Sequence, residues 1–283
     1  MKEQEFLEII KSKTGSSYLV DDCAYLKELN IVVTQDNFVE DIHFKREWAT
    51  PYQIGYKATA VNISDILASG AKPQYLMIGL SIPNVENSFI EELYRGIKDA
   101  SYGAEIIGGD ITGNDKILIS ITAIGNTTGR NFSSRNGAIK GYIVIASGEH
   151  GESALVLEEL RNGGTNKELI KTHLEPNLDI DFSVAISKNV TCEYAMMDSS
   201  DGLADALYKI AQASNCTIKT PNIKGIFGAE DYKLVAAIPK EYLPILPYYK
   251  LIGEVSDYEG YYLKIENKEF YNYDDLNLYN HFK

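Results

Sequence analysis

Six aspartates in this sequence stand at positions that favour a metal site over a solvated acidic surface. Five are predicted to lie at or just past strand ends or beside tight turns, and the sixth ends the inward stripe of a helix. These residues are Asp22, Asp36, Asp65, Asp110, Asp198 and Asp201. Each one alone is more simply structural, because aspartates favour turns in any protein. As a set, they describe a magnesium site, which takes few protein oxygens per ion and leaves the rest to water and phosphate.

The segment 50–73 predicts the helix that positions Asp65. It opens on a threonine N-cap followed by proline, and it closes on Gly70 and Pro73. One face carries residues spaced i, i+4, i+7 and i+11, namely Ile54, Ala58, Val61 and Asp65. A carboxylate at the inward end of an apolar face is costly unless a cation meets it. The plainer alternative is a helix-end aspartate that reaches water.

The other elements follow from hydrophobic periodicity. Helices are predicted at 3–11, 88–103, 148–161 and from residue 202 onward, and strands at 29–34, 75–82, 105–107, 116–125, 142–147, 193–197 and 232–238. The third strand is expected to break at Gly108. A loop rich in Thr, Ser, Asn and Gly follows residue 126 and predicts a boundary between domains 1–137 and 138–283. Because strands and helices intermix without strict βαβ alternation, we expect an α+β fold in two lobes.

Charge and composition narrow the classes of partner. The 283 residues are 45% apolar, with a formal net charge of −13 and a pI near 4.8. This charge argues against a nucleic-acid or membrane-surface partner, because both present phosphate. An acidic protein can still bind a phosphorylated ligand when divalent cations lie between the two sets of charges. The three cysteines form no metal-type pair, no apolar run approaches about 20 residues, and the first residues are acidic, so we expect a soluble cytoplasmic protein.

Several short motifs could contact phosphate, and others are excluded. The sequence has no P-loop, no protein-kinase signature and no recognisable nucleophile–histidine set, which disfavours covalent catalysis by the protein. Ser200 and Asp201 at a predicted helix start could present backbone N–H groups to a phosphate, although either could be an ordinary N-cap. Gly109 lets a backbone approach a ligand closely. The segment 148–153 is either a second helix start of the same kind or a plain loop, and His43 has no partner near it in sequence.

These blocks, in this order, resemble the thiamine-monophosphate kinase family, within the wider group that includes aminoimidazole ribonucleotide synthetase and selenophosphate synthetase. The matching segments are 21–24, 36–44, 57–73, 108–110, 198–203, 230–232 and 279–282. The resemblance implies ATP-dependent transfer of a phosphoryl group onto thiamine phosphate, with several Mg²⁺ ions. It also implies a homodimer in which N-terminal mixed-sheet lobes bind ATP and pair, while a C-terminal α/β-sandwich lobe completes the phosphate and substrate site.

The resemblance also assigns roles to residues. Magnesium would be bound by Asp22, Thr34, Asp36, Asp65, Asp110, Asp198 and Asp201. ATP would be contacted by Tyr94, Gly109, Asp110, Arg135 and Ser200, and thiamine phosphate by His43, Glu230 and Tyr279. No catalytic side chain is expected, because the acceptor is already an ionised phosphate and needs no general base. Repulsion between two polyanions is the main obstacle, which metal ions and in-line positioning must overcome.

The sequence departs from the family pattern at four positions, Val20, Gln35, Ala229 and Glu175, and in a short segment before Gly228. The last two departures bear on substrate contacts more than on the ATP and metal site. Two alternatives therefore stay open: another ATP-using enzyme of the same superfamily, or a non-catalytic divalent-cation or nucleotide-binding module. Against the first, the sequence lacks a reactive N-terminal cysteine outside the acidic motif and a C-terminal cysteine.

Overall fold

Two β-sheets organise the chain in the computed structural model, which describes residues 2–164 and 166–278. The first sheet takes its strands from residues 24–126 and the second from residues 143–270. Both sheets contain parallel and antiparallel pairs, so the α+β prediction with two lobes is confirmed. The loop 127–137 lies between the last strand of one sheet and the first of the other. The domain boundary at residue 137 stays a prediction.

The N-terminal sheet has the strand order β1-β2-β5-β3-β4. Its strands are β1 (Ala24–Leu26), β2 (Ile31–Val39), β3 (Lys72–Ile82), β4 (Glu105–Gly113) and β5 (Leu118–Asn126). Its helices are α1 (Lys2–Thr14), α2 (Pro51–Ala68) and α3 (Asn87–Asp99). Ile119, Ile121 and Ala123 of β5 are buried at alternate positions, because successive side chains of a strand point to opposite faces. They form the floor on which α2 packs.

Helix α2 begins and ends where the sequence predicts. The Thr50 side chain accepts from the Gln53 backbone N–H, Gln53 returns the contact to the Thr50 backbone, and Pro51 takes the first position. The predicted single buried face is too narrow, however. Most of α2 is buried all round, because it packs on β2 and β5 on one side and contacts β7, α5 and α6 of the other lobe. The helix therefore joins the two lobes.

Two predictions about strand ends are wrong. Strand β4 continues past Gly108, with a register shift in its pairing to β3 at that point, and Asp110 lies within it; Asp36 likewise lies within β2 rather than after it. Strand β2 pairs with β5 along its whole length, because backbone ladders continue through polar residues when both partners are extended. Gly109 serves the close approach of β3, since a Cβ there would lie 1.9 Å from the Ile78 carbonyl oxygen.

The C-terminal sheet has the order β12-β11-β8-β10-β6-β9-β7. Its strands are β6 (Ile143–Ala146), β7 (Ala195–Asp198), β8 (Cys216–Thr220), β9 (Leu234–Ile238), β10 (Lys250–Asp257), β11 (Leu263–Ile265) and β12 (Lys268–Phe270). Its helices are α4 (Glu152–Arg161), α5 (Lys167–Leu174), α6 (Ile180–Asn189) and α7 (Leu203–Ala213). Strand β9 is fully buried because α6 covers one face of the sheet and α7 the other. Among the described helices, none combines the length and apolar character needed to cross a membrane.

Candidate metal and phosphate site

Three carboxylates from three distant parts of the chain converge where the lobes meet. Asp22 precedes β1, Asp65 lies in the last turn of α2, and Asp198 is the final residue of β7. Each offers an oxygen within 4.8 Å of the others. Three carboxylates at this spacing repel one another unless a cation lies among them. The predicted gathering of Asp22, Asp65 and Asp198 is therefore what the structure has.

The pKa values of this cluster record that repulsion. Burial, followed by the charge of Asp22, raises the pKa of Asp198 to about 7. Burial, followed by Asp36 and Asp198, raises the pKa of Asp65 well above its usual range. Burial and the charge of Asp22 also raise the pKa of Asp36, and Asp201 contributes to the shifts at both Asp36 and Asp198. All five carboxylates thus share one electrostatic environment.

The donor set fits a hard divalent cation. Asp198 Oδ2 accepts a hydrogen bond from Ser64 Oγ at 2.6 Å. Asp198 Oδ1 is buried and has no hydrogen-bond partner among the described residues. A buried anionic oxygen without a hydrogen-bond donor is costly. Because two further carboxylates lie beside it, a divalent cation is the partner that would stabilise it. The residues present are therefore suited to Mg²⁺.

Neighbouring polar side chains hold these aspartates in place. Thr34 Oγ1 lies 2.7 Å from Asp65 Oδ2 and 3.2 Å from the Asp22 carbonyl oxygen. Because a hydroxyl has one hydrogen, Thr34 donates to the nearer atom and orients Asp65. Asn62 Oδ1 accepts from the Asp36 backbone N–H at 3.0 Å. Thr34 therefore lies at the predicted metal site and orients Asp65. Its role as a metal ligand stays a prediction.

Arg135 reaches the same cluster from the connecting loop. Its guanidinium donates to Asp22 Oδ1, and its backbone N–H donates to Asp21 Oδ1 at 2.8 Å. Ser134 Oγ donates to Asp21 Oδ2 at 2.7 Å. The Nε of Arg135 is buried and lacks a hydrogen-bond partner within the described part of the chain. Arg135 thus sits beside the aspartates with donor capacity to spare, as a phosphate contact requires.

Asp201 and Ser200 form the exposed margin of the site. Half of the Asp201 side chain is exposed, and its carboxylate contacts Lys209 Nζ at 3.2 Å. Lys209 also pairs with the buried Asp205 at 2.8 Å. The Ser200 carbonyl oxygen accepts from the Glu230 backbone N–H at 2.7 Å. The loop 198–201 therefore links the carboxylate cluster to Glu230.

Two of the predicted substrate residues lie on that side. Glu230 Oε2 is 2.7 Å from the ammonium of Lys57 and 3.5 Å from His173 Nε2. His43 Nδ1 accepts from the Val39 backbone N–H at 3.0 Å, and its ring stacks on Phe38. Burial raises the pKa of Glu230, but the charge of Lys57 and, more weakly, the imidazole of His43 lower it, so the pKa lies below its usual value. Tyr279 lies outside the described residues.

Three predicted residues gather at a different place in the single chain. Tyr94, Gly109 and Asp110 line an open groove of about 480 Å³ on the outer strand β4. Gly109 is separated from Asp36 by the ladder positions Ile121 and Ile78, which is three strand spacings. At about 4.8 Å per spacing the two positions lie roughly 14 Å apart. Within one chain, these residues do not join the aspartate cluster.

The predicted phosphate contact at residues 148–153 is already occupied by a side chain. The carboxylate of Asp231 accepts from the backbone N–H of Gly151 at 2.6 Å and of Ser153 at 3.1 Å. These are the donors that a phosphate would use at the start of α4. The segment therefore fixes the backbone beside Glu230 rather than offering a free anion site.

Sequence reasoning missed four supporting residues. Lys57, Asn62 and Ser64 lie on α2, on the same helix as Asp65, and Asp21 is adjacent to Asp22. The three on α2 could have been found as polar residues inside an otherwise apolar helix, because a buried polar side chain needs a hydrogen-bond partner. Asp21 gives no such signal. Which partner each one meets depends on the packing of α2 between the lobes, which the local pattern does not specify.

Comparison with known proteins places this arrangement in a class. Residues 20–127 match the family described as AIR synthase related protein, N-terminal domain. The chain is 33% identical to thiamine-monophosphate kinase of Aquifex aeolicus over 297 residues, which cover 93% of this chain and 95% of the relative. It resembles the solved structure of AaThiL complexed with AMPPCP and TMP, with a TM-score of 0.84 and 32% identity over 95% of this chain and 97% of the other.

The chain belongs to the thiamine-monophosphate kinase family. A more distant likeness, to the HypE chain fold seen in a HypE–HypF complex, has a TM-score of 0.69 at 19% identity over 89% of this chain and 93% of the other. At that identity it shows the fold alone.

Proposed function

We propose that this protein transfers the γ-phosphoryl group of ATP to thiamine phosphate, giving thiamine diphosphate and ADP. The observation that carries the proposal is the trio of Asp22, Asp65 and Asp198, with a buried unpartnered oxygen on Asp198, at the meeting of the two lobes. Family membership supports it, and so does the AaThiL complex with AMPPCP, an ATP analogue, and TMP.

Magnesium is the metal that suits this site. Asp22, Asp36, Asp65, Asp198 and Asp201 share one electrostatic environment and would hold several ions between them. Bound Mg²⁺ would offset the repulsion between the phosphates of ATP and thiamine phosphate. Carboxylates that repel one another in the folded chain gain the most from such ions, which is why the pKa shifts support the assignment.

The chain itself binds and orients. Arg135 holds Asp22 and has a free Nε donor for a phosphate oxygen of ATP. Ser200 lies beside the cluster, and His43 with Glu230 lies on the thiamine phosphate side. No side chain has to remove a proton, because the attacking oxygen belongs to an ionised phosphate. Residues 1–137 supply most of the metal and ATP contacts, and residues 138–283 complete the phosphate and substrate site.

A homodimer would complete the ATP site. All nine residues of β4 are exposed, including Ile107 at 51% and Ile111 at 68%, and Met77 of β3 is 44% exposed. An exposed apolar outer strand of this kind is commonly covered by a second chain. Within a single chain, Asp110 lies on a strand about 14 Å from the cluster. Pairing of two N-terminal lobes on this side would instead bring the partner's Asp110 to the cluster.

The protein works in the cytoplasm on this proposal. Its three cysteines are free, and Cys23 and Cys216 are buried, which suits a reducing compartment.

The reaction itself tests the proposal. Purified protein is incubated with ATP, MgCl₂ and thiamine phosphate, and thiamine diphosphate is measured by chromatography. We expect stoichiometric ADP and thiamine diphosphate, loss of product with excess EDTA, and no product when thiamine replaces thiamine phosphate. ATP binding by calorimetry without any product would instead support a nucleotide-binding module.

A further inference from the structure

Lys57 is a buried cation that the proposed reaction does not use. It lies on α2, two turns before Asp65, and none of its side chain is exposed. Its Nζ lies 2.7 Å from Glu230 Oε2 and 3.0 Å from His173 Nε2. Removing an ammonium from water is expensive, and it is retained in a protein core where it has fixed partners. The three side chains come from α2, α5 and the loop before β9, so the contact ties both lobes together.

His173 is a neutral member of this group. Burial, and then the charge of Lys57, lowers the pKa of His173 to about 4. Because an ammonium can only donate, Nε2 of His173 accepts from Lys57. Nδ1 then carries the hydrogen, and it lies 2.6 Å from Ser153 Oγ. The only acid–base pair in this group of four is therefore Lys57 with Glu230, and its net charge is zero.

The backbone around Glu230 is held in an uncommon conformation. Glu230 has φ of +67° and Tyr232 has φ of +51°, both in the left-handed region that residues with a side chain rarely adopt. Hydrogen bonds fix this turn on both sides: Glu230 N–H donates to Ser200, and the Asp231 carboxylate accepts from the start of α4. Backbone held this way is typical of positions where a side chain must be aimed.

Glu230 is the point where this group reaches a ligand. Its side chain is 24% exposed, while Lys57 is fully buried and His173 is 2% exposed. It lines a cavity of about 190 Å³ together with Asp231 and Glu175. Lys57 donates to Glu230 at Oε2, which leaves Oε1 as the acceptor for a donor on the substrate.

We propose that Lys57 is a positioning residue for thiamine phosphate, acting through Glu230. It fixes Oε2 so that Oε1 is presented to an N–H donor of the substrate's heterocycle, and it neutralises a carboxylate that would otherwise repel the substrate's phosphate. The inference rests on the proposed function, in which Glu230 contacts thiamine phosphate. Lys57 governs the affinity for that substrate and leaves the affinity for ATP unchanged.

A double-mutant cycle tests this with four proteins: wild type, Lys57→Met, Glu230→Gln and Lys57→Met/Glu230→Gln. For each we measure kcat and the KM values for thiamine phosphate and for ATP. We expect Lys57→Met to raise the KM for thiamine phosphate by about tenfold or more, with the KM for ATP changed less than about twofold. In the Glu230→Gln background, the same substitution should change the KM for thiamine phosphate by less than about twofold.

The control is Thr59→Val on the same helix. Thr59 is fully buried, and among the described residues its hydroxyl bonds only the Gly55 carbonyl oxygen of the preceding turn, so the variant perturbs α2 without touching Glu230. We expect both KM values of this variant to match the wild type. A similar rise in the KM for thiamine phosphate in Thr59→Val would assign the effect to helix packing and overturn the proposal.

The remaining outcomes separate the proposal from the function beneath it. If Glu230→Gln raises the KM for thiamine phosphate but Lys57→Met does not, Lys57 has no positioning role. If Glu230→Gln leaves that KM unchanged, Glu230 is not a substrate contact, and the assignment of the site fails first. Should Lys57→Met alone not fold, the double variant decides, because its neutral pair removes the unpaired charge. A further tenfold rise over Glu230→Gln would then overturn the proposal.

Discussion

Replacing Asp198 with asparagine should stabilise the metal-free protein while removing its response to magnesium. Asp198 is fully buried, and its Oδ1 lacks a hydrogen-bond partner among the described residues. An asparagine of the same shape can still accept from Ser64 Oγ, which now lies 2.6 Å from Oδ2. Its amide can donate toward the neighbouring carboxylates of Asp22 and Asp65. The change therefore turns a repulsive contact into an attractive one.

The size of the effect follows from the pKa of Asp198. Its value rises from 3.8 to about 7, and with about 1.4 kcal/mol per unit the ionised form costs the folded state roughly 4 kcal/mol. The folded state keeps its proton to a higher pH than the unfolded chain. Stability of the wild type therefore falls as pH rises from about 4 through about 7, and the full cost is present above that range. Because Asp36 and Asp65 share the repulsion, we expect a gain of about 2–4 kcal/mol.

Urea unfolding, followed by the fluorescence of the single tryptophan Trp48, measures this difference. In EDTA at about pH 8, Asp198→Asn should be more stable than the wild type by about 2–4 kcal/mol, and at about pH 5 by less than about 2 kcal/mol. Magnesium at a thousand times Kd should cancel or reverse this difference, because only the wild type gains binding free energy, about 4.1 kcal/mol at that concentration. Asp115→Asn, at an exposed position, is the control and should match the wild type throughout.

Three results would each refute a part of this reasoning. If Asp198→Asn is less stable than the wild type in EDTA at about pH 8, the cluster is not under repulsive strain. If the variant also gains as much stability from magnesium as the wild type, Asp198 does not bind the ion. Asp115→Asn behaving like Asp198→Asn would assign the gain to net charge rather than to the cluster.

Three further changes follow from the structure. Asp65→Asn keeps the contact with Thr34, so the fold should persist, but turnover should fall by roughly 100-fold or more because a metal contact is lost; a wild-type kcat would remove Asp65 from the site. Ile111→Asp should convert the proposed dimer to a monomer in sedimentation experiments and lower activity, whereas the equally exposed Leu251→Asp should stay dimeric; a dimeric Ile111→Asp would contradict the interface. Thr50→Ala removes the cap of α2 and should lower the free energy of unfolding by about 1 kcal/mol with kcat unchanged, and unchanged stability in urea would contradict the capping role.

Local signals in the sequence were enough for part of the elements, whereas helices α5 and α6 and strands β1, β8, β10, β11 and β12 are not predicted from it. The N-cap, proline and glycine around α2 predicted its bounds, because capping depends on adjacent residues. Strand β4 is longer than the sequence predicts, because the expected break at Gly108 is only a register shift in the pairing with β3, and Gly109 beside it allows β3 to approach closely. The burial of α2 on all sides was not predictable from its own residues, since it depends on a second lobe formed more than a hundred positions later in the chain.

The candidate site was predictable as a set of residues and less so as a set of contacts. Asp22, Asp65 and Asp198 were expected together because repelling acids in apolar surroundings need a common cation. Asp110 is also expected among them, but within one chain it lies on β4, the edge strand of the sheet. The resemblance predicts which residues contact phosphate, but whether they act within one chain or across two depends on assembly. Lys57 was passed over, because a lysine in a helix is normally read as a solvated residue.

Three of the departures from the family pattern, at Val20, Gln35 and Glu175, lie where they leave the metal cluster intact. Val20 is half exposed, and Gln35 accepts from Thr122 on the exposed face of the sheet. Glu175 lies on the substrate side, where its Oε1 accepts from Gln53 Nε2 at 3.0 Å and its Oε2 lies 3.8 Å from the ammonium of Lys171. Gln53 also closes the capping box of α2. The Glu175 carboxylate is therefore attached to the start of the helix that carries Lys57. On the proposed role of Lys57 in fixing Glu230, we expect a substitution at Glu175 to change the KM for thiamine phosphate through the position of α2 while leaving the KM for ATP unchanged.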